Sequence, residues 1–315
     1  MKRVFKIVTI VLSVILVLYL ISIPYLRSKN MVKESVFYTP TKYDESRVFN
    51  QLDEKYLTNI SKDSVLITAK KFIGTRQVDS MKLNGTMIKR DFKDLLQNSK
   101  SEFYTITPSS FKNVGIFMLG NQFNVFNMLD DLTELAKKNN TKIYVITYNG
   151  NGYSEGKADF STQFKINQKF YDYIKSSNKV DFVAGHSLGT VFATKLGVDN
   201  NIPKLALLAP ASNIDDVADY FKNLAPFWAR PYFNFNEIKE SEFAKMGNSS
   251  ENIKHYKGQL ILLHGTKDTN LPFTMSEKLY NNYPNKSKTL IKIENGDHYA
   301  SLTKDNWNKL IAILK

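Results

Sequence analysis

A serine between two glycines, Gly185-His186-Ser187-Leu188-Gly189, is the first group in this sequence equipped to act as a nucleophile. It follows the apolar run Val180–Ala184 and precedes the helical stretch Thr190–Leu196. A serine on a tight strand-to-helix turn needs unbulky neighbours on both sides, and it sits at the positive end of the helix dipole. A hydroxyl is a weak nucleophile, so it requires a base, usually a histidine steadied by a carboxylate. The chain has four histidines. His186 lies inside the turn, its side chain expected to point away from the serine oxygen. His255 falls in a weakly patterned stretch, and His264 ends the apolar run Leu-Ile-Leu-Leu. His298, in Gly296-Asp297-His298-Tyr299 after the strand-like Leu290–Ile293, is the favoured base. Asp268, directly after Leu-Ile-Leu-Leu, is the favoured acid, with Asp215 and Asp216 as rivals and Asp297 too near His298 in sequence. Ser187, Asp268 and His298 would then all stand at the carboxyl edge of a parallel sheet, in the chain order Ser…Asp…His.

Such chemistry also needs two N–H groups facing the developing oxyanion. Leu188, the residue after the nucleophile, is one candidate. Asn121 is the other, in the loop Gly120-Asn121-Gln122 after the apolar run Val114–Leu119. Between the runs Leu205–Leu208 and Leu260–Leu263 lies a lid-like insertion, residues 209–259, rich in aromatics. Phe221, Phe227 and Trp228 are the candidate substrate-binding residues there. The competing reading is a connecting helix packed on the sheet. No metal or organic cofactor is required by this chemistry.

The elements that must hold these groups are legible from Asn113 onward. Apolar runs at 114–119, 143–148, 180–184, 205–208, 260–263 and 290–293 alternate with helical patterns at 125–138, 161–176, 275–283 and 306–314. Short apolar runs separated by amphipathic helices predict an α/β domain whose parallel sheet is covered on both faces. Residues 34–112 read as a connector and early strands. Val48, Phe49, Leu52 and Tyr56 have helical spacing, while Val65-Leu66-Ile67 and Met81–Ile88 suggest antiparallel strands.

Ile7–Leu26 is an uncharged run of twenty residues. As a helix it would be about 30 Å long, the thickness of a bilayer's hydrocarbon core. The alternative is a cleaved signal peptide, but the chain has no alanine before Ala69 to supply a small-residue cleavage site. The expectation is a single-pass N-terminal anchor over residues 1–33. A short basic N-terminus ahead of a large domain leans towards an extracytoplasmic catalytic domain.

Composition sets outer bounds. The chain is 43% hydrophobic, enough for a sizeable core, and without cysteine it has no disulfide, thiolate metal site or cysteine nucleophile. The net charge is +13, with six positives and no negatives in residues 1–33. That suits an anionic membrane surface, whereas no basic stripe with interleaved aromatics points to nucleic acid.

Taken together, these motifs resemble the α/β-hydrolase superfamily, in particular small bacterial serine hydrolases grouped with serine aminopeptidases and monoglyceride lipases. The resemblance covers roughly residues 113–315. Besides the serine turn, Tyr148-Asn149-Gly150-Asn151-Gly152-Tyr153-Ser154-Glu155-Gly156 looks like the family's glycine-rich segment, and His264–Asp268 and Gly296–His298 like its acid and base loops. Leu119-Gly120 stands where the family has His-Gly, and Thr147 where it has Asp. The resemblance implies an α/β-hydrolase fold and an esterase or lipase acting on a small acyl ester or lipid through an acyl-enzyme. The same triad serves thioesterases, amidases and peptidases, and a non-catalytic binding protein could keep the fold.

Overall fold

The computed structural model describes residues 2–28, 38–44, 54–74, 79–97, 99–233, 238–239 and 241–315. The first helix, α1 (Lys2–Ser28), contains the Ile7–Leu26 run, and its side chains are described for residue 8 and residues 11–26. Among the described residues no helix is long and apolar enough to cross a membrane. Of the expected amphipathic helix near residue 50, Val48, Phe49 and Leu52 lie outside the described residues, and Tyr56 ends a short 3-10 turn, Glu54–Tyr56.

Val65-Leu66-Ile67 is not a strand but part of α2 (Lys62–Gly74). Val65, Ala69 and Phe72 are buried at spacings of four and three, so packing with a helical period overrides the strand preference of β-branched residues. Met81–Ile88 is likewise not one strand. It is the turn of a hairpin between β1 (Ser80–Leu83) and β2 (Thr86–Leu96). Asn84 and Gly85 both have positive φ (49° and 78°), the conformation of a two-residue hairpin turn. β3 (Ser99–Thr107) pairs with β2, so the early segment adds antiparallel strands to the main sheet.

From Asn113 the alternation runs as expected: β4 (Asn113–Met118), α3 (Leu129–Lys138), β5 (Thr141–Ile146), α4 (Phe160–Lys175), β6 (Phe182–His186) and α5 (Leu188–Asp199). After β7 (Lys204–Leu208) the insertion carries α6 (Ile214–Leu224), α7 (Glu242–Met246) and α8 (Ser249–Asn252). The chain closes with β8 (Gln259–Gly265), α9 (Thr274–Asn282), β9 (Lys288–Ile293) and α10 (Lys304–Leu314).

The nine strands form one sheet in the order β1-β2-β3-β5-β4-β6-β7-β8-β9, parallel from β5 through β9. α3 and α10 pack on each other, with Trp307 Nε1 donating to Asp131 O at 2.8 Å, and α4 packs on α5. β4 lies between β5 and β6, so the crossover from β4 runs to one side and the next, from β5, returns across β4 to the other. Crevices for ligands open at the carboxyl ends of strands at such a reversal.

Candidate active site

Ser187 stands between β6 and α5 with φ 53° and ψ −122°, a backbone conformation that costs a non-glycine residue energy. The surroundings hold it there. Its N–H donates to Leu208 O at 2.9 Å, and its carbonyl accepts from Thr190 N (2.9 Å) and Thr190 Oγ1 (2.6 Å). Both glycines of the turn are sterically required. A Cβ on Gly185 would stand 2.5 Å from Gly189 O, and one on Gly189 would stand 2.2 Å from Met118 O. β4, β6 and α5 therefore close on one another only because these positions lack side chains.

Asp268 follows β8 and is buried. Its Oδ1 accepts the N–H groups of Asn270 (2.8 Å) and Leu271 (2.9 Å). Oδ2 accepts His298 Nδ1 at 2.7 Å and His264 Nε2 at 3.0 Å. Burial pushes the carboxyl pKa up, but the hydrogen bonds from His264 and His298 outweigh it and hold the group below the usual carboxylate range. Since a carboxylate only accepts, the His298 proton facing it sits on Nδ1, leaving Nε2 as the basic nitrogen. Ser187 and His298 line the same cavity. No Ser187–His298 hydrogen bond is present among the described residues.

The rival acids are engaged elsewhere. Asp216 pairs with Lys278 (2.7 Å) and Asp215 with Lys239 (3.5 Å). His255 is exposed. His186 is buried in the elbow, stacked on Phe123 and Tyr299, and its Nε2–H donates to His298 O at 3.2 Å. Burial first, then the neighbouring His298, push its pKa down to about 3. It is therefore a neutral ring that steadies the loop carrying His298.

Leu188 is the first residue of α5, and Asn121 lies in the loop after β4, so both oxyanion candidates border the serine. A Cβ on Gly120 would lie 3.6 Å from Ser187 Cβ, which measures how near the two loops come. Segments upstream of the core brace both site loops, through contacts that no motif in residues 34–112 signals. Thr39 N–H donates to Asn121 Oδ1 (3.0 Å), and Tyr56 OH donates to Asp297 Oδ2 (2.8 Å).

The cavity over Ser187 holds about 610 Å³. Val217, Phe221, Phe233, Phe243, Leu271 and Tyr299 form much of its wall. Phe221, one of the three candidate substrate-binding residues, is among these lining residues. Phe227 and Trp228 do not line the cavity; they are 81% and 57% exposed. An aromatic-rich stretch does not by itself say which rings turn inward; among the described residues of the insertion, Phe233 and Phe243 join Phe221 on the cavity wall. Outside the cavity, α1 touches this insertion. Tyr19 OH donates to Trp228 O (2.7 Å), and Ser22 Oγ and Tyr232 OH are 2.9 Å apart.

An esterase of Pyrococcus furiosus superposes on the chain with a TM-score of 0.59 at 15% identity, over 76% of this chain and 98% of that one. A monoacylglycerol lipase of Paleococcus ferrophilus does so with a TM-score of 0.54 at 17% identity, over 68% and 98%. The fold is that of the α/β-hydrolases. By sequence, the lysophosphatidylserine lipase ABHD12 of Danio rerio is 31% identical over 154 residues, 44% of this chain and 38% of that protein. The Bos taurus protein of the same name is 32% identical over 120 residues, 35% and 30%. The chain thus spans well under half the length of these curated relatives. No protein-family model matches it.

Proposed function

We propose that the chain is a serine hydrolase that cleaves the carboxylic ester of a lipid through an acyl-enzyme. The observation that carries this reading is the pairing of His298 Nδ1 with a fully hydrogen-bonded Asp268, on the same cavity as a serine held in a strained turn. In the proposed reaction His298 Nε2 takes the proton of Ser187 Oγ as that oxygen bonds to the ester carbon. The carbonyl electron pair moves onto its oxygen, where the N–H groups of Leu188 and Asn121 receive the charge. Collapse expels the alcohol, which takes the proton from His298. Water, deprotonated by the same nitrogen, then attacks the acyl-enzyme, and a second collapse frees the acid and Ser187. Each oxyanion donor of this kind contributes roughly 10²–10³-fold to turnover.

The cavity favours an apolar acyl group. Among its described lining residues there is no Asp, Glu, Lys or Arg. The sequence relatives carry a lipase name, which agrees with a lipid substrate. The membrane part of the proposal rests on α1 and on Leu224, Phe227 and Trp228, all more than half exposed. With α1 inserted and the domain outside, Tyr19 lies seven residues, about 10 Å, below Leu26. Its bond to Trp228 then carries the insertion's apolar tip into the outer leaflet, beside the cavity.

The test is fluorophosphonate labelling of the detergent-solubilised full chain, wild type against Ser187→Ala, followed by esters, thioesters and amides matched in acyl group. Labelling lost in the variant and fastest turnover of the ester are expected. A folded wild type that takes no label overturns the hydrolase reading. Faster thioester or amide turnover reassigns the bond.

A further inference from the structure

Asp268 serves two imidazoles, and only one of them faces the cavity. His264, the penultimate residue of β8, is fully buried and is absent from the cavity wall. Its Nε2 lies 3.0 Å from Asp268 Oδ2 and 2.9 Å from Leu271 O, and its Nδ1 lies 2.7 Å from Ser276 Oγ on α9. A carboxylate and a carbonyl can only accept, so Nε2 carries a proton. A neutral ring with that proton satisfies all three bonds, Ser276 donating to Nδ1. Asp268 then receives four donors, two on each oxygen, which fills the lone-pair sites of a carboxylate.

We propose that His264 is a positioning residue for the hydrolysis: by donating Nε2–H to Asp268 Oδ2, it fixes the acid against His298 and keeps the shared oxygen from accepting the His298 proton. This rests on the hydrolase reading above. When His298 takes the Ser187 proton on Nε2, it must keep its other proton on Nδ1. An Oδ2 already sharing its electron density with His264 is a poor destination for that proton, so the ion pair persists through the step. Ser276 contributes by holding the His264 ring in the tautomer that makes the donation.

The experiment uses the full chain in detergent micelles with p-nitrophenyl butyrate as probe. In His264→Gln the side-chain amide nitrogen can reach Oδ2 as the ring does; in His264→Asn it falls short. Asparagine is expected to lower kcat by about 10- to 100-fold, the worth of a hydrogen bond to a charged group, with KM within about twofold, and glutamine to recover most of the loss. Folded glutamine and asparagine variants with equal kcat, whether both fast or both slow, overturn the proposal. Should the variants not fold, ¹⁵N-histidine NMR of the wild type decides: His264 protonated on Nε2 and bare on Nδ1 is expected, and a bare Nε2 overturns it. Ser187→Ala is measured in the same series. Its turnover at the wild-type rate sinks the hydrolase reading, whereas an inactive Ser187→Ala beside indifferent His264 variants sinks the positioning role alone.

Discussion

Replacing Asp268 by asparagine forces a choice among four donors. The acid accepts two backbone N–H groups on Oδ1 and two imidazoles on Oδ2. An amide offers one oxygen and one NH₂. If its NH₂ faced Asn270 and Leu271, two backbone donors that cannot change would be left unpaired in a buried site, at about 1–3 kcal/mol each. The opposite orientation costs only the bond from His264, whose N–H keeps Leu271 O as acceptor, because His298 can move its proton from Nδ1 to Nε2 and accept from the amide. That orientation is the cheaper one, and it puts a proton on the nitrogen that must act as base. The expected loss in kcat is about 10⁴-fold, equivalent to about 5 kcal/mol on the barrier. Initial rates of p-nitrophenyl butyrate hydrolysis by wild type and Asp268→Asn, with thermal unfolding to verify the fold, measure it. A folded variant within about tenfold of wild type would refute both the tautomer argument and the assignment of Asp268.

Gly189→Ala drives a methyl to 2.2 Å from Met118 O and 2.5 Å from Leu119 O, both backbone. Relief must move β4 or α5, so a stability loss of about 1–3 kcal/mol is expected, with activity falling too; a denaturant midpoint equal to wild type contradicts it. His186 has a folded pKa near 3, below its ordinary 6.5, so the unfolded chain binds the extra proton first. Its contribution to stability is complete above pH 6.5 and is lost as pH falls towards 3. In denaturant titrations His186→Phe should flatten the pH dependence in that window, and an unchanged slope speaks against it. Phe227→Ser combined with Trp228→Ser should slow hydrolysis of a single-chain lipid presented in vesicles several-fold while leaving a short soluble ester untouched, because both rings lie outside the cavity. Equal effects on the two substrates would place these rings in the pocket after all.

The sequence is most readable where both faces of a strand are buried. β4, β6, β7 and β8 are short unbroken apolar runs, and the serine turn between β6 and α5 announces itself by its glycines. β2 and β3 were harder, because strands near the sheet edge carry Lys89, Asp91, Lys93 and Glu102 and blur into a charged connector. The Asn84-Gly85 dipeptide was the available signal for that hairpin. Val65-Leu66-Ile67 misleads because three apolar residues with strand-forming character sit inside a helix whose period is visible only over the longer span to Phe72. His264 shows the limit most clearly. It stands four positions before Asp268, but nothing in that spacing says that its ring turns back onto the same oxygen that His298 uses.

The strap that begins at Tyr38 sets the length of a leash. Tyr38 OH donates to Asn149 O at 2.7 Å and Thr39 N–H donates to Asn121 in the loop bordering Ser187, so the chain is fastened beside the site only ten residues after the end of α1. Ten residues reach at most about 35 Å. A bilayer that held α1 would therefore hold Ser187 within one molecular diameter of its surface. Such an enzyme samples lipid by lateral diffusion in two dimensions, and its rate would follow the mole fraction of substrate in the leaflet rather than the bulk concentration.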